Sequence, residues 1–172
     1  MDFHVSKLVA LFLNLLYGPL AWAYDFIAYI VSFGEWHNWT KQIEIFLSKN
    51  EKILEVGIGT SALQKELLQK GFQIYGCDLS KKMLRISSGR LNSLSPRIIQ
   101  ADNKVLPLKD NYFFKVISTF PSDYVLSEDF ICECKRVLRE NGEIIILLSV
   151  IFPKNDLISV FYRNLYNITG QS

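Results

Sequence analysis

The chain is poor in the residues from which metal centres, disulfide frameworks and proton relays are built. Its two histidines, His4 and His37, are isolated, and no His–Asp pair or metal-ligand cluster is visible. Its three cysteines, Cys77, Cys132 and Cys134, have neither a disulfide-framework nor a zinc spacing. On a helix, Cys132 and Cys134 would fall on roughly opposite faces, so these read as buried or incidental thiols suited to a reducing cytoplasm. A formal charge of +2, with its Lys and Arg scattered, gives no footprint for nucleic acid. There is no internal repeat and no low-complexity tract. What the chain has instead is apolar material: 49% hydrophobic and 13% aromatic residues over 172 positions, enough for one domain around a single core.

The N-terminal stretch "KLVALFLNLLYGPLAWAYDF" supports two competing readings. Lys7, the apolar run from Leu8 to Leu16 and the triplet Ala21-Trp22-Ala23 together resemble a secretory leader. A membrane span is disfavoured, because Gly18-Pro19 interrupts the run and Asp25 follows. Alternatively, residues 1–50 form apolar helices, broken at Gly18-Pro19, that cover a cofactor domain as a lid on the substrate side. In that form residues 8–33 could also meet a membrane surface.

From Lys52 onward, short apolar runs alternate with helical patterns. Strands are expected at Lys52 to Val56, Gln73 to Cys77, Arg97 to Gln100 and Phe113 to Thr119. A helix from Ser61 to Lys70 ends at Gly71, and Ser61 with Gln64 has capping-box spacing. A second helix runs from about Ser80 to Leu91. In "SEDFICECKRVLRENG", Ser127 caps a helix whose acids lie at its start, whose Lys135, Arg136 and Arg139 lie toward its end, and which Asn141-Gly142 closes. "EIIILLSVIF" then lacks polar alternation, as a strand covered on both faces would. This order predicts an α/β fold, an open and mainly parallel sheet of about five strands wound with right-handed crossovers. Ligands in such sheets bind beyond the strands' carboxyl ends, where Gly57, Asp78, Asp102 and Phe120 fall.

Gly57-Ile58-Gly59-Thr60-Ser61-Ala62 matches the G-x-G-x-x-A dinucleotide pattern, with Asp78 placed to hold a ribose. A dinucleotide would set its pyrophosphate on the following helix N-terminus. Glu55, just before the turn, would repel that charge. S-adenosyl-L-methionine carries no phosphate but does carry an ammonium and a sulfonium, so a carboxylate there becomes favourable.

Taken together, "ILEVGIGTS", "YGCDLSKKML", "IIQADNKVLPLKDNYFFKVISTFPSDYV" and "CKRVLRENGEIIILL" resemble the successive motifs of the class I S-adenosylmethionine-dependent methyltransferases, the type 11 group in particular. The resemblance spans about Trp22 to Gly170 and implies a Rossmann-like, doubly wound core over residues 51–152. It implies that Gly57, Ile58, Gly59 and Thr60 form the cofactor turn, that Glu55 orients the methionine amino end, and that Asp78 accepts the ribose hydroxyls. Leu79 and Met83 would lie against the adenine, and Asp102 would accept from its amino group with Asn103 beside it. Thr119 and Phe120 would line the donor near the transferred methyl, and Tyr24 would border the acceptor. No metal is implied.

Three departures stand out. Ser61 replaces a third glycine, and Phe113-Phe114 replaces the usual Phe-Asp before the fourth strand. The family also adds a closing strand pair after the segment resembling "LISVFYRNLYNITGQ", whereas this chain stops at Ser172. Residues 153–172 are then expected to form a shortened helical segment, leaving a sheet edge open to pairing with a second copy.

The functional expectation is methyl transfer to a small apolar or amphipathic acceptor, because aromatics crowd Tyr17 to Trp39. A non-catalytic binding fold and a nicotinamide-dependent oxidoreductase are the rival readings.

Overall fold

The computed structural model describes residues 15–150. Its centre is a five-stranded sheet of β1 (Lys52–Val56), β2 (Gln73–Asp78), β3 (Arg97–Gln100), β4 (Phe113–Thr119) and β5 (Leu138–Leu147), in the order β3-β2-β1-β4-β5. All four pairings are parallel. The chain moves outward from β1 to β3, then crosses back to place β4 on the other side of β1. That reversal opens a crevice above β1 and β4, the place where open α/β sheets bind ligands.

Strand alternation divides the core. Leu54 and Val56 of β1, Cys77 of β2 and Val116 of β4 face one cluster, completed by Phe130, Cys134 and Val137 of helix α5 (Glu128–Val137). Helices α1 (Tyr24–Val31) and α2 (Trp36–Lys41) precede the sheet. On the opposite face, Ile53, Ile74 and Ile117 pack on Leu63 and Leu67 of α3 (Ala62–Gln69) and on Ile43. Cys77 and Cys134 are buried and Cys132 is exposed, as the helical spacing required. Burial pushes both buried thiols up to about 12, so they pack as small apolar groups.

Two helix starts follow the sequence. Ser80 caps α4 (Lys81–Leu91) by accepting from Met83 N, and Ser127 caps α5 by accepting from Phe130 N. The third does not. Ser61 sits at φ 62°, ψ 31° and makes no cap bond, while its Oγ and both polar atoms of Gln64 are buried without partners. The capping box fails because a left-handed backbone turns the hydroxyl away from the helix start. The same conformation explains why relatives of this motif favour glycine at the position.

The other differences lie at the sheet's far side. α5 stops at Val137, and Arg139 lies in β5 rather than in the helix. Leu138 is drawn into pairing with Phe113, while Tyr112 N donates to Val137 O. The register then shifts, so Lys115 pairs with Glu143, and Asn141 takes φ 62° in the irregularity. β5 is half-buried rather than covered, and it ends at Leu147. Phe113 is fully buried and Phe114 lies under the Arg139 guanidinium, which supports β4 without the family's aspartate. At the other end, Ala21 and Ala23 of the leader-like triplet are buried in a short 3-10 turn. No described helix is long and apolar enough to cross a membrane. The helical segment expected over 153–172, the expected end of the core at 152 and residues 1–14 lie outside the described residues.

Glu55 is the costly residue in this frame. It shares its strand face with Ile53, so it points toward α3 and is 2% exposed. Its cross-strand neighbour is Gly76, where a Cβ would come within 2.1 Å of Gln64 Nε2. Gln64 therefore rests on bare β2 backbone, beside Glu55 but outside hydrogen-bond geometry. Burial raises the Glu55 carboxyl to about 8, slightly offset by the Gln64 amide.

Two outcomes are expected. Ser61→Gly relieves a left-handed serine and an unpartnered hydroxyl, against a larger unfolded-state entropy, for a net gain of about 1 kcal/mol in urea unfolding. A loss of stability would show that Ser61 is not strained. For Glu55, the unfolded chain gives up its proton near 4.5 and the folded chain near 8. The folded state binds the extra proton between those values, so stability is complete below the window and falls as pH rises through it. The slope approaches about 1.4 kcal/mol per pH unit. Glu55→Gln should flatten that slope, as read by unfolding between pH 5 and pH 8; an unchanged slope would remove Glu55 as its source.

Candidate active site

The crevice above β1 and β4 contains a cavity of about 570 Å³, within the usual size of small-molecule sites. Its floor is Val56, Gly57 and Gly59 from the β1 turn, with Cys77, Asp78, Leu79 and Ser80 from the end of β2. Ala101, Asp102, Asn103 and Lys104 after β3 form one side. Thr119, Phe120, Pro121, Ser122 and Tyr124 after β4 form the other, and Tyr17 and Tyr24 form the roof.

Asp78 organises the floor. Its Oδ2 accepts from Gly59 N at 2.8 Å and its Oδ1 from Ser80 N at 2.8 Å. Burial raises its pKa, and those two N–H groups lower it. Each oxygen keeps a lone pair for a further donor such as a ribose hydroxyl. Gly57 and Gly59 both have positive φ, at 80° and 52°. A Cβ on Gly57 would strike the Tyr124 hydroxyl at 2.9 Å, whereas at Gly59 it would meet nothing within 4 Å. Gly59 thus leaves its space to a ligand.

Part of the turn's donor capacity is used within the chain. Gly57 N and Ile58 N both donate to Cys77 O, Gly59 N to Asp78, and Ser61 N to Ile58 O. A dinucleotide sets its pyrophosphate beside such N–H groups; here the Asp78 carboxylate already occupies the one on Gly59 and adds negative charge there.

Among the expected site residues, Gly57, Gly59, Asp78, Leu79, Asp102, Asn103, Thr119, Phe120 and Tyr24 meet in the cavity wall. Glu55, Ile58, Thr60 and Met83 do not. Glu55 and Ile58 turn into the α3 side, and Met83 is fully buried beneath α4. Thr60 is turned outward to a latch: its Oγ1 donates to Asp25 Oδ1 at 2.5 Å, and Arg90 Nη1 donates to it at 3.0 Å. Arg90 also pairs with Asp25, next to Tyr24. Asp102 Oδ1 accepts from Lys104 N at 2.9 Å and so also shapes its own loop.

Sequence reasoning did not single out Ser80 or Tyr124, and it placed Tyr17 only at the start of the aromatic lid stretch. Ser80 Oγ donates to Tyr17 O at 2.7 Å, a second tie between roof and floor. The Tyr124 hydroxyl donates to Val56 O at 3.2 Å and lies 2.8 Å from Ser118 Oγ, which also donates to Val56 O. The carbonyl before the glycine turn is therefore held by two hydroxyls, one from the end of β4 and one from beyond it. Only pairing of β4 with β1 brings them there.

The roof is aromatic. Tyr17 and Tyr24 rings lie 5.8 Å apart, Trp36 lies 4.7 Å from Phe120, and Trp39 stands 6.4 Å from Phe120. Phe120 is held at φ 47°, with its N–H donating to Leu147 O at 2.7 Å. Burial raises the pKa of both Tyr17 and Tyr24, so each stays a phenol that can donate a proton but not accept one at neutral pH. No group of three or more metal-ligating side chains occurs among the described residues.

Comparison with known proteins agrees with this geometry. The family described as a methyltransferase domain matches residues 54–146, more than half of the chain. Demethylmenaquinone methyltransferase of Thermotoga maritima is 33% identical over 137 residues, covering 77% of this chain and 59% of that protein. A ubiquinone/menaquinone biosynthesis C-methyltransferase of Stutzerimonas stutzeri is 29% identical, covering 81% of this chain and 58% of that protein. The chain thus spans less than two thirds of the length of either relative. The crystal structure of an S-adenosylmethionine-dependent methyltransferase from Aquifex aeolicus shares the fold, with a TM-score of 0.57 at 20% identity, over 77% of this chain and 78% of that one. The family match over residues 54–146, with the glycine turn and the carboxylate at the end of β2 standing at one crevice, leads to one assignment: the chain belongs to the class I S-adenosylmethionine-dependent methyltransferases.

Proposed function

We propose that this chain transfers a methyl group from S-adenosylmethionine to a small apolar or amphipathic acceptor held under the Tyr17–Tyr24 roof. The observation that carries the proposal is the Asp78 carboxylate, which accepts from Gly59 N in the turn beside the open space that Gly59 leaves. That floor disfavours a pyrophosphate and suits a cationic, phosphate-free ligand with a ribose. The cavity wall fits such a group: Asp78 has acceptor capacity left, Gly59 leaves open space, and Asp102 and Asn103 stand where a base edge would be read.

When bound, the sulfonium supplies an electrophilic methyl whose carbon–sulfur bond breaks as the acceptor's new bond forms. The protein's part is alignment and exclusion of water, which can supply on the order of 7–11 kcal/mol of the barrier. Asp78 holds the ribose end, and Thr119 and Phe120 flank the reacting side. Tyr24, a candidate acceptor-side residue, stands beside Tyr17, and burial favours its protonated form. The aromatic wall, together with similarity to proteins named for quinone biosynthesis, supports an apolar ring-containing acceptor.

Calorimetric titration of the full chain should show binding of S-adenosylmethionine and its demethylated product, and no appreciable binding of NAD. Tighter binding of NAD would end this reading. Asp78→Asn, which retains an acceptor for the loop, should weaken cofactor binding by roughly 1.5–3 kcal/mol for the lost charged hydrogen bond. Unaltered affinity in a folded variant would remove Asp78 from the ribose site.

A further inference from the structure

The roof that covers the cavity has an exposed outer face among the described residues. Trp22 is 79% exposed, Phe26 67%, Tyr29 64% and Ile30 55%. Their spacing places them on one side of the segment that ends in α1, while Tyr24 and Ala28 turn inward. Large apolar side chains scattered singly are ordinary on a surface; a row of them on one helix marks an interaction site.

What this row would meet is indicated by the charge beside it. α4 packs against the 21–23 turn, and residues 79–90 contain Lys81, Lys82, Arg85 and Arg90 but no acidic residue. Arg90 is spent on Asp25, the one carboxylate of residues 21–33. Lys81, Lys82 and Arg85 are exposed and make no ion pair among the described residues. Lys81 and Lys82 occupy the first turn of α4, where the helix dipole disfavours cations. Leu79, 62% exposed, joins this cationic rim to the cavity, whose wall it also forms.

We propose that the outer face of the roof, with the adjacent cationic turn of α4, docks on the surface of an anionic lipid bilayer. Aromatic and aliphatic side chains enter the boundary between headgroups and acyl chains, and lysines and arginine meet the headgroup charge. The cavity mouth at Leu79 then opens beside the bilayer, so that an amphipathic acceptor is taken up laterally. This delivery role rests on the proposed methyl transfer to such an acceptor, whereas the docking itself does not require it.

The test is sedimentation of the full chain, without cofactor or acceptor, with vesicles of phosphatidylcholine alone or with a third of the lipid replaced by phosphatidylglycerol. Binding should favour the anionic vesicles, by about fivefold for each cation engaged, and should weaken with salt. Trp22→Ser with Phe26→Ser should reduce binding to both vesicle types by about tenfold or more. Lys81→Gln with Lys82→Gln should lower the anionic preference by about fivefold for each lysine removed, leaving Arg85's share, and should not change binding to phosphatidylcholine alone. Thermal unfolding checks that both variants fold. Absence of vesicle binding, or equal binding by wild type and the Trp22/Phe26 variant, would overturn the docking face. So would self-association by light scattering that only this variant loses, which would assign the face to a second copy. Cofactor titration on the same samples separates the two readings: intact cofactor binding without vesicle binding sinks the docking face alone.

Discussion

The Asp78 carboxylate is the interaction on which the site depends. It lies at the end of β2 and accepts from Gly59 in the β1 turn and from Ser80 at the start of α4. Two loops that are distant in sequence thereby share one anchor, and each keeps its shape because the other does. The anchor also gives the floor negative charge. A carboxylate occupying one of the glycine turn's donors weighs against phosphate there, although the turn's sequence satisfies a dinucleotide pattern. Burial works against this charge, and its two N–H donors are what offset the cost.

Around that anchor the molecule is tied at few points. Ser80 extends the Asp78 loop to the roof through Tyr17 O, and the Asp25–Thr60–Arg90 latch does the same from the glycine turn. Tyr124 and Ser118 hold the Val56 carbonyl from the β4 side. On the far side of β4, Arg136 donates to Leu106 O and Leu108 O and pairs with Glu133, whose carboxylate accepts from Leu106 N. These bonds fix the loop that follows the Asp102–Lys104 wall. Each joins a cavity-lining segment to a scaffold element, so the cavity's shape follows from the sheet order.

Glu55 shows how residue type can be legible where placement is not. Its position before the glycine turn suggested that it orients a cationic ligand, directly or through water. In the fold it lies on the strand face shared with Ile53 and is sealed by Gln64 and the backbone of Gly76, outside the cavity wall. The negative charge beside the turn comes instead from Asp78. Ser61 is a parallel case: its residue type suits a helix cap, but its left-handed backbone does not.

The family resemblance added Asn103 and Thr119; the sequence by itself determined the sheet, its strand boundaries to within a residue or two for β1 to β4, the glycine turn and the gathering of Gly57, Asp78, Asp102 and Phe120 in one crevice. Local patterns suffice for this, because apolar runs, turn residues and parallel crossovers leave little choice of where strand ends gather. Tertiary structure alone decided which face of β1 Glu55 takes, that Ser61 is left-handed, and that α5 ends at Val137. It also alone brought Tyr17, Ser80, Tyr124 and Arg90 to their partners. Those outcomes depend on contacts between segments far apart in the chain, and on which side of a strand a neighbouring helix closes. Neither leaves a periodic trace in the residues themselves.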